Sequence, residues 1–171
     1  MDPYNSVDAN PYAAKTVNIT DNFRYLINAN ATLLFKLYPG LTLSVQGGYN
    51  YSNNPSYSFT SALYRPSQIP TASNSSNMYN YWQNTNNLTY QKSFGDHNLV
   101  ATVVWEISNN QYAGLSGTGS NLANESVGYW NLANGGTLST SNSYSEESIA
   151  SGLGRVMYNY NNRYFVTGTF R

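Results

Sequence analysis

His97 is the chain's one histidine, and Asp96 stands beside it. A Ser–His–acid arrangement needs a carboxylate that holds the imidazole in place. Adjacent residues of an extended strand point to opposite faces, so Asp96 does not serve His97 in that way. The pair reads as polar groups next to a tight turn. Glu146 and Glu147 are the next candidates. Glycoside hydrolysis needs two convergent acids, whereas these are sequence neighbours, and they read as solvated loop carboxylates. The chain has no Cys, which removes thiolate nucleophiles, thiolate metal sites and disulfide frameworks. Metal-ligand spacings and a G-x-x-x-x-G-K-[ST] phosphate loop are missing from the sequence. Gly117-Thr118-Gly119 and Gly135-Gly136 read as flexible loop punctuation. The expectation is a protein that is not an enzyme, with no catalytic residue, metal or cofactor.

Composition narrows the class. The 171 residues carry 9% charged side chains, 15% aromatics, 17 Tyr and a formal net charge of zero. Soluble domains carry roughly a quarter charged residues. Abundant aromatics and nil net charge disfavour disorder. Eight Lys and Arg are scattered along the chain, so no basic patch invites nucleic acid. No apolar run approaches the ~18 residues of a membrane helix. Met1-Asp2-Pro3-Tyr4-Asn5 has neither the basic start nor the apolar centre of a signal peptide.

The elements that would position any site are strands. In 41–51, Leu41, Leu43, Val45, Gly47, Tyr49 and Tyr51 share one face, and Thr42, Ser44, Gln46, Gly48 and Asn50 the other. Upstream, Tyr25, Ile27, Ala29, Ala31, Leu33, Phe35 and Leu37 alternate in the same way, and Tyr38-Pro39-Gly40 signals a turn between the two arms. A second hairpin turns at Phe94-Gly95-Asp96, followed by Leu99, Ala101, Val103, Trp105 and Ile107 on one face. A third turns at Asn161-Asn162, and Gly152 and Gly154 interrupt its first arm. The hairpins span about 23–51, 84–107 and 148–171, and loops of about 52–82 and 108–147 separate them.

Arms of this length exceed the usual five or six residues of a globular strand. They suit a tilted strand crossing a bilayer, which needs about 9–11. Outer-membrane barrels combine such strands with short periplasmic turns, long extracellular loops and aromatic girdles. The expected fold is therefore all-β: an antiparallel transmembrane β-barrel segment of about six long strands, facing outer-membrane lipid. Two alternatives remain. One is a complete small barrel of about eight strands with a structural or adhesin role. The other is a secreted carbohydrate-binding β-sandwich.

Three stretches carry a family resemblance. Asn84-Thr-Asn-Asn-Leu-Thr-Tyr-Gln-Lys-Ser-Phe-Gly-Asp-His-Asn-Leu-Val-Ala-Thr102 resembles the N-x-L-T-Y-x-K-x-F-G-x-H-x-L-x-A hairpin of SusC/RagA-type TonB-linked outer-membrane transporters. Gly154-Arg-Val-Met-Tyr-Asn-Tyr-Asn-Asn-Arg-Tyr-Phe-Val-Thr-Gly-Thr-Phe-Arg171 is similar to that family's G-R-x-x-Y-x-Y-x-x-R-Y hairpin, and Leu33 to Tyr51 to its L-x-x-x-P-G-L-x-L hairpin. The resemblance implies part of the middle of a barrel of about 22 strands. It implies uptake of glycans or peptides across the outer membrane of Bacteroidetes, coupling to TonB, and a SusD-like lipoprotein partner. Energy coupling in that family resides in a plug domain and a TonB box, and the chain resembles neither.

Lys36, Glu106 and Arg155 alternate with apolar neighbours and are expected to face the lumen. On the lipid face such charges would cost about 2–4 kcal/mol near the midplane. Among the loop aromatics, Tyr64, Tyr81, Trp82, Tyr129 and Trp130 are the expected contacts for substrate or partner, because flat apolar rings suit sugar faces and protein anchors.

Overall fold

The computed structural model describes residue 15, residues 17–63 and residues 67–171. Its strands are β1 (Ile19–Asn22), β2 (Tyr25–Tyr38), β3 (Leu41–Thr60), β4 (Thr71–Phe94), β5 (His97–Leu122), β6 (Gly135–Tyr160) and β7 (Tyr164–Phe170). They form one sheet in the order β1-β3-β4-β5-β6-β7, with β2 also paired to β3. Seven strands therefore occupy six places. The break between β1 and β2 has a chemical cause. Phe23 N donates to Pro55 O at 2.9 Å, but Pro55 has no N–H to return, so the ladder loses a rung there.

The expected loops 52–82 and 108–147 are corrected by this sheet. β3 continues to Thr60 and β4 begins at Thr71, while β5 continues to Leu122 and β6 begins at Gly135. Ser, Asn and Tyr occupy both faces of these extensions, so no alternation marks them, although the backbone ladder holds them as strand. Glu146 and Glu147 lie in β6, as do Gly152 and Gly154, and β6 passes through the two glycines without a break.

The chain divides into two compact units. The turn unit comprises Ile27–Tyr51, Asn80–Gln111 and Glu146–Arg171. Its three tight turns need left-handed backbone, and φ is +84° at Gly40, +58° at Gly95, and +48° and +51° at Asn161 and Asn162. Glycine and asparagine tolerate that region best. Arg163 N closes the last turn on Tyr160 O at 3.0 Å, and Asn161 N donates to Asp96 O at 2.7 Å.

The two faces of the turn unit differ in chemistry. On β4 and β5, Thr85 Oγ1 donates to Glu106 at 2.8 Å, Thr89 and Thr102 hydroxyls lie 3.4 Å apart, and Ser93 Oγ donates to Asn98 at 2.6 Å. The alternate residues of β5 include Val103, Trp105 and Ile107, which are 51%, 41% and 47% exposed. Across the β6–β7 ladder, Val156 pairs with Gly168 and Gly154 with Phe170, and both Val156 and Phe170 are exposed. The apolar face therefore stands open. A β-sandwich buries such a face against a second sheet, whereas the described strands form one sheet. The closed eight-stranded barrel is also absent, since no pairing among the described residues joins β7 to β1 or β2.

The connection unit comprises Met1–Leu26, Ser52–Tyr79 and Tyr112–Ser145. It holds all the buried hydrophobic residues among those described: Phe59, Ala72, Leu122 and Tyr129, with Tyr57 and Leu132 packed against them.

Gly40 gives a direct test of the turn geometry. A Cβ there would lie 2.2 Å from Gln91 O, and Gly40 O accepts from Gln91 N at 2.7 Å. Gly40→Ala is expected to destabilise the fold by roughly 1–3 kcal/mol, read as a lowered urea midpoint in detergent micelles. Gly47→Ala, with nothing within 4 Å of its Cβ position, is the matched control.

Candidate functional site

Aromatic residues gather in the connection unit. The turn Gly128–Trp130 is a short 3-10 helix, begun at a glycine with φ +57°. It sets Tyr129 onto Tyr57, with ring centroids 5.4 Å apart and planes 26° apart. Trp130 lies 6.1 Å from the same ring at 29°, and Phe23 meets Tyr57 edge-on at 6.2 Å. Tyr129 is 8% exposed and Trp130 77% exposed. Of the two adjacent loop aromatics, one is therefore packed inside and the other presented outward.

Tyr129 is held by polar contacts as well. Its hydroxyl donates to Asp21 Oδ2, and Asn74 Nδ2 donates to its carbonyl at 3.1 Å. The bond to Asp21 raises the Tyr129 pKa above its ordinary value, and burial adds to the rise. The carboxylate acceptor favours the protonated phenol.

Beside this cluster lies a groove of about 330 Å³, lined by residues that include Tyr57, Leu115, Gly117, Leu132 and Thr140. Its floor corrects the reading of Gly117 and Gly119 as flexible loop. Both lie in β5, and Leu132 rests on them. A Cβ at Gly117 would lie 3.1 Å from Leu132 Cδ1, and one at Gly119 2.5 Å from Leu132 O. Gly135 and Gly136 open β6, and a Cβ on Gly135 would lie 2.9 Å from Gly119 Cα. These glycines permit close backbone approach.

The other expected contacts are dispersed. Tyr64 lies outside the described residues, as does its neighbour Arg65. Tyr81 and Trp82 are consecutive residues of β4 rather than loop residues, so they point to opposite faces. Tyr81 Oη donates to Gln83 Oε1, and Trp82 is exposed.

Among the charges, Glu106 accepts from Thr85 and shares a shallow pocket of about 180 Å³ with Ser151, Leu153 and Arg171. Alternation does not distinguish Arg171 from any other strand-end residue, so the sequence alone does not single it out. Arg155 pairs across the ladder with Thr169, one residue from the Val156–Gly168 pair and hence on the opposite face from it. Lys36 lies in the exposed strand β2 between Phe35 and Leu37. Glu146 is also engaged rather than simply solvated: Asn109 Nδ2 and Gln111 Nε2 donate to its Oε1 at 2.8 and 2.9 Å.

His97 is a member of an aromatic cluster at the turns. It stacks on Phe94 at 5.1 Å and 16°. Its Nδ1 lies 2.6 Å from Tyr158 Oη, and Tyr160 lies 4.8 Å away. Tyr164 stacks on Tyr160 in turn. Rings of this kind, apolar with a polar tip, suit a membrane–water interface. Among the described residues no group of three or more His, Cys, Asp or Glu is arranged to hold a metal ion.

No family model matches the sequence. A curated relative, TonB-dependent receptor P3 of Formosa agariphila, is 30% identical over 171 residues, covering 95% of this chain and 16% of the relative. The solved RagAB peptide transporter superposes with a TM-score of 0.81 at 19% identity, over 93% of this chain and 18% of that one. The chain is similar to a segment of a TonB-dependent receptor and shares the barrel-wall fold of the RagAB transporter. The RagAB peptide importer in its 'open-open' state gives a TM-score of 0.80 over the same shares. The chain thus spans about a sixth of the length of these relatives.

Tyr129 carries a pH prediction. Its raised pKa means the folded state prefers the protonated phenol. The associated stability is complete below the unfolded value of about 10 and is lost as pH rises through the folded one. Tyr129→Phe removes the bond to Asp21 and is expected to lower the urea midpoint near neutrality. The spectrophotometric difference between wild type and Tyr129→Phe is expected to titrate above the ordinary tyrosine range. Asp21→Asn is expected to bring that titration back toward the ordinary value.

Proposed function

We propose that the chain forms part of the barrel wall and extracellular vestibule of an outer-membrane importer in a Bacteroidetes-like Gram-negative cell. In this reading the strands of the turn unit cross the bilayer. The carrying observation is the two-faced sheet of the turn unit, with an exposed apolar face and a hydrogen-bonded polar one. Lipid has no use for unpaired backbone, and the ladder satisfies that of the strands lying between the β2 and β7 edges. The cluster of Phe94, His97, Tyr158, Tyr160 and Tyr164 is then the periplasmic aromatic girdle.

The solute is a glycan or a peptide, and the name of the RagAB peptide transporter favours a peptide. Lys36, Glu106 and Arg155 face the wet lumen. Trp130 is the exposed aromatic contact for solute or partner, with Trp82 and Tyr81 on the strand wall and Tyr64 as a further candidate earlier in the sequence. TonB and a SusD-like lipoprotein act on the whole receptor.

Deletion of the coding region from its host tests this reading. The gene product is expected in the outer-membrane fraction. Uptake of labelled peptides or oligosaccharides is expected to fall on deletion and to collapse when a protonophore removes the energy that TonB transmits. A product found in the periplasm, or uptake unchanged by deletion, contradicts it.

A further inference from the structure

Two connections of the connection unit meet at one carboxylate. The first joins β3 to β4 and begins at Ser61. The second joins β5 to β6 and contains Glu125. Glu125 Oε2 accepts from Ser61 Oγ and from Ala62 N, the latter at 3.2 Å. Ser61 is 1% exposed. Its hydroxyl also accepts from Leu63 N at 3.1 Å, and its own N–H donates to Asn18 Oδ1 at 3.0 Å. One side-chain pair therefore satisfies the Ala62 and Leu63 amides.

Glu125 is equally tied to the turn on its C-terminal side. Gly128 N donates to Glu125 O at 3.1 Å, and Trp130 N to Val127 O at 3.2 Å. The 3-10 turn that carries Tyr129 and Trp130 is thus built directly on the backbone of Glu125. The base of this connection is closed by Ala123 N donating to Asn134 O at 3.1 Å and Asn134 Nδ2 to Asn124 O at 2.7 Å.

We infer that the Glu125–Ser61 contact is a latch that makes Ser61–Leu63 and the second connection a single ordered body, and that Trp130 is the group this body presents. Glu125 is a positioning residue in this account. Its carboxylate fixes the start of one connection, and its carbonyl fixes the turn of the other. An aromatic group held in one orientation loses less freedom when a ligand or partner meets it. The latch itself rests on hydrogen bonds alone and stands whether or not the chain belongs to an importer.

Amide hydrogen exchange on the folded protein in detergent micelles tests the latch. Ser61→Ala alters only the first connection. It is expected to raise exchange at Gly128 and Trp130 by at least about tenfold, together with Ala62 and Leu63. Glu125→Ala is expected to release both sets together. Glu125→Gln keeps a carbonyl acceptor and is expected to retain most of the protection. Arg163 N, which closes the last hairpin turn in the other unit, reports whether each variant remains folded. Release of Ala62 and Leu63 in Ser61→Ala with Gly128 and Trp130 unchanged overturns the proposal.

Discussion

The antiparallel ladder is the constraint on which everything else in this chain depends. Each strand gives its backbone donors and acceptors to its neighbours, which frees the side chains from any duty to the backbone. A strand then presents two faces that can differ completely in chemistry. The turn unit uses that freedom to the full. Val103, Trp105 and Ile107 stand exposed on one face of β5, while Glu106 and Thr102 make hydrogen bonds on the other. In water such a sheet would be a liability, because soluble proteins rarely expose apolar patches beyond a few hundred Å². In a bilayer the same arrangement is the stable one.

The connection unit solves a different problem. Its strands carry Ser, Asn and Tyr on both faces, so little apolar area is available to organise it. Order comes instead from specific contacts: Tyr129 on Tyr57 and Asp21, Leu132 on a glycine floor, and Glu125 on Ser61. Where burial is scarce, each of these polar bonds is a larger share of local stability, since stability is not uniform across a structure.

This contrast explains how much of the fold is legible in the sequence. Period-two alternation is visible only where the two faces meet different solvents. It marks β2, the first half of β3 and the first half of β5, and the turn residues Gly40, Gly95, Asn161 and Asn162 signal the reversals. The alternation vanishes in Ser52–Thr60 and in Asn110–Leu122, although both continue as strand. The glycines 117 and 119 read as loop punctuation there. In the fold Pro55 costs the ladder a single donor, and the glycines make room for Leu132. The aromatic cluster is half legible. Tyr129 and Trp130 are recognisable as unusual residues, but Asp21 lies 108 residues from Tyr129, and no local pattern links them. The Glu125–Ser61 contact is invisible for the same reason, its partners being 64 positions apart.

In the proposed reading one face of the turn unit meets lipid and the other meets water. The chain has no Cys, so single cysteines can be introduced one at a time across Leu99 to Ile107 and spin-labelled without interference. Collision with oxygen, which concentrates in the acyl region, and with a water-soluble nickel chelate can then be compared at each site in a bilayer. A period of two is expected, with oxygen dominating at Leu99, Ala101, Val103, Trp105 and Ile107 and nickel at Val100, Thr102, Val104 and Glu106. A flat profile, or the opposite phase, would contradict it.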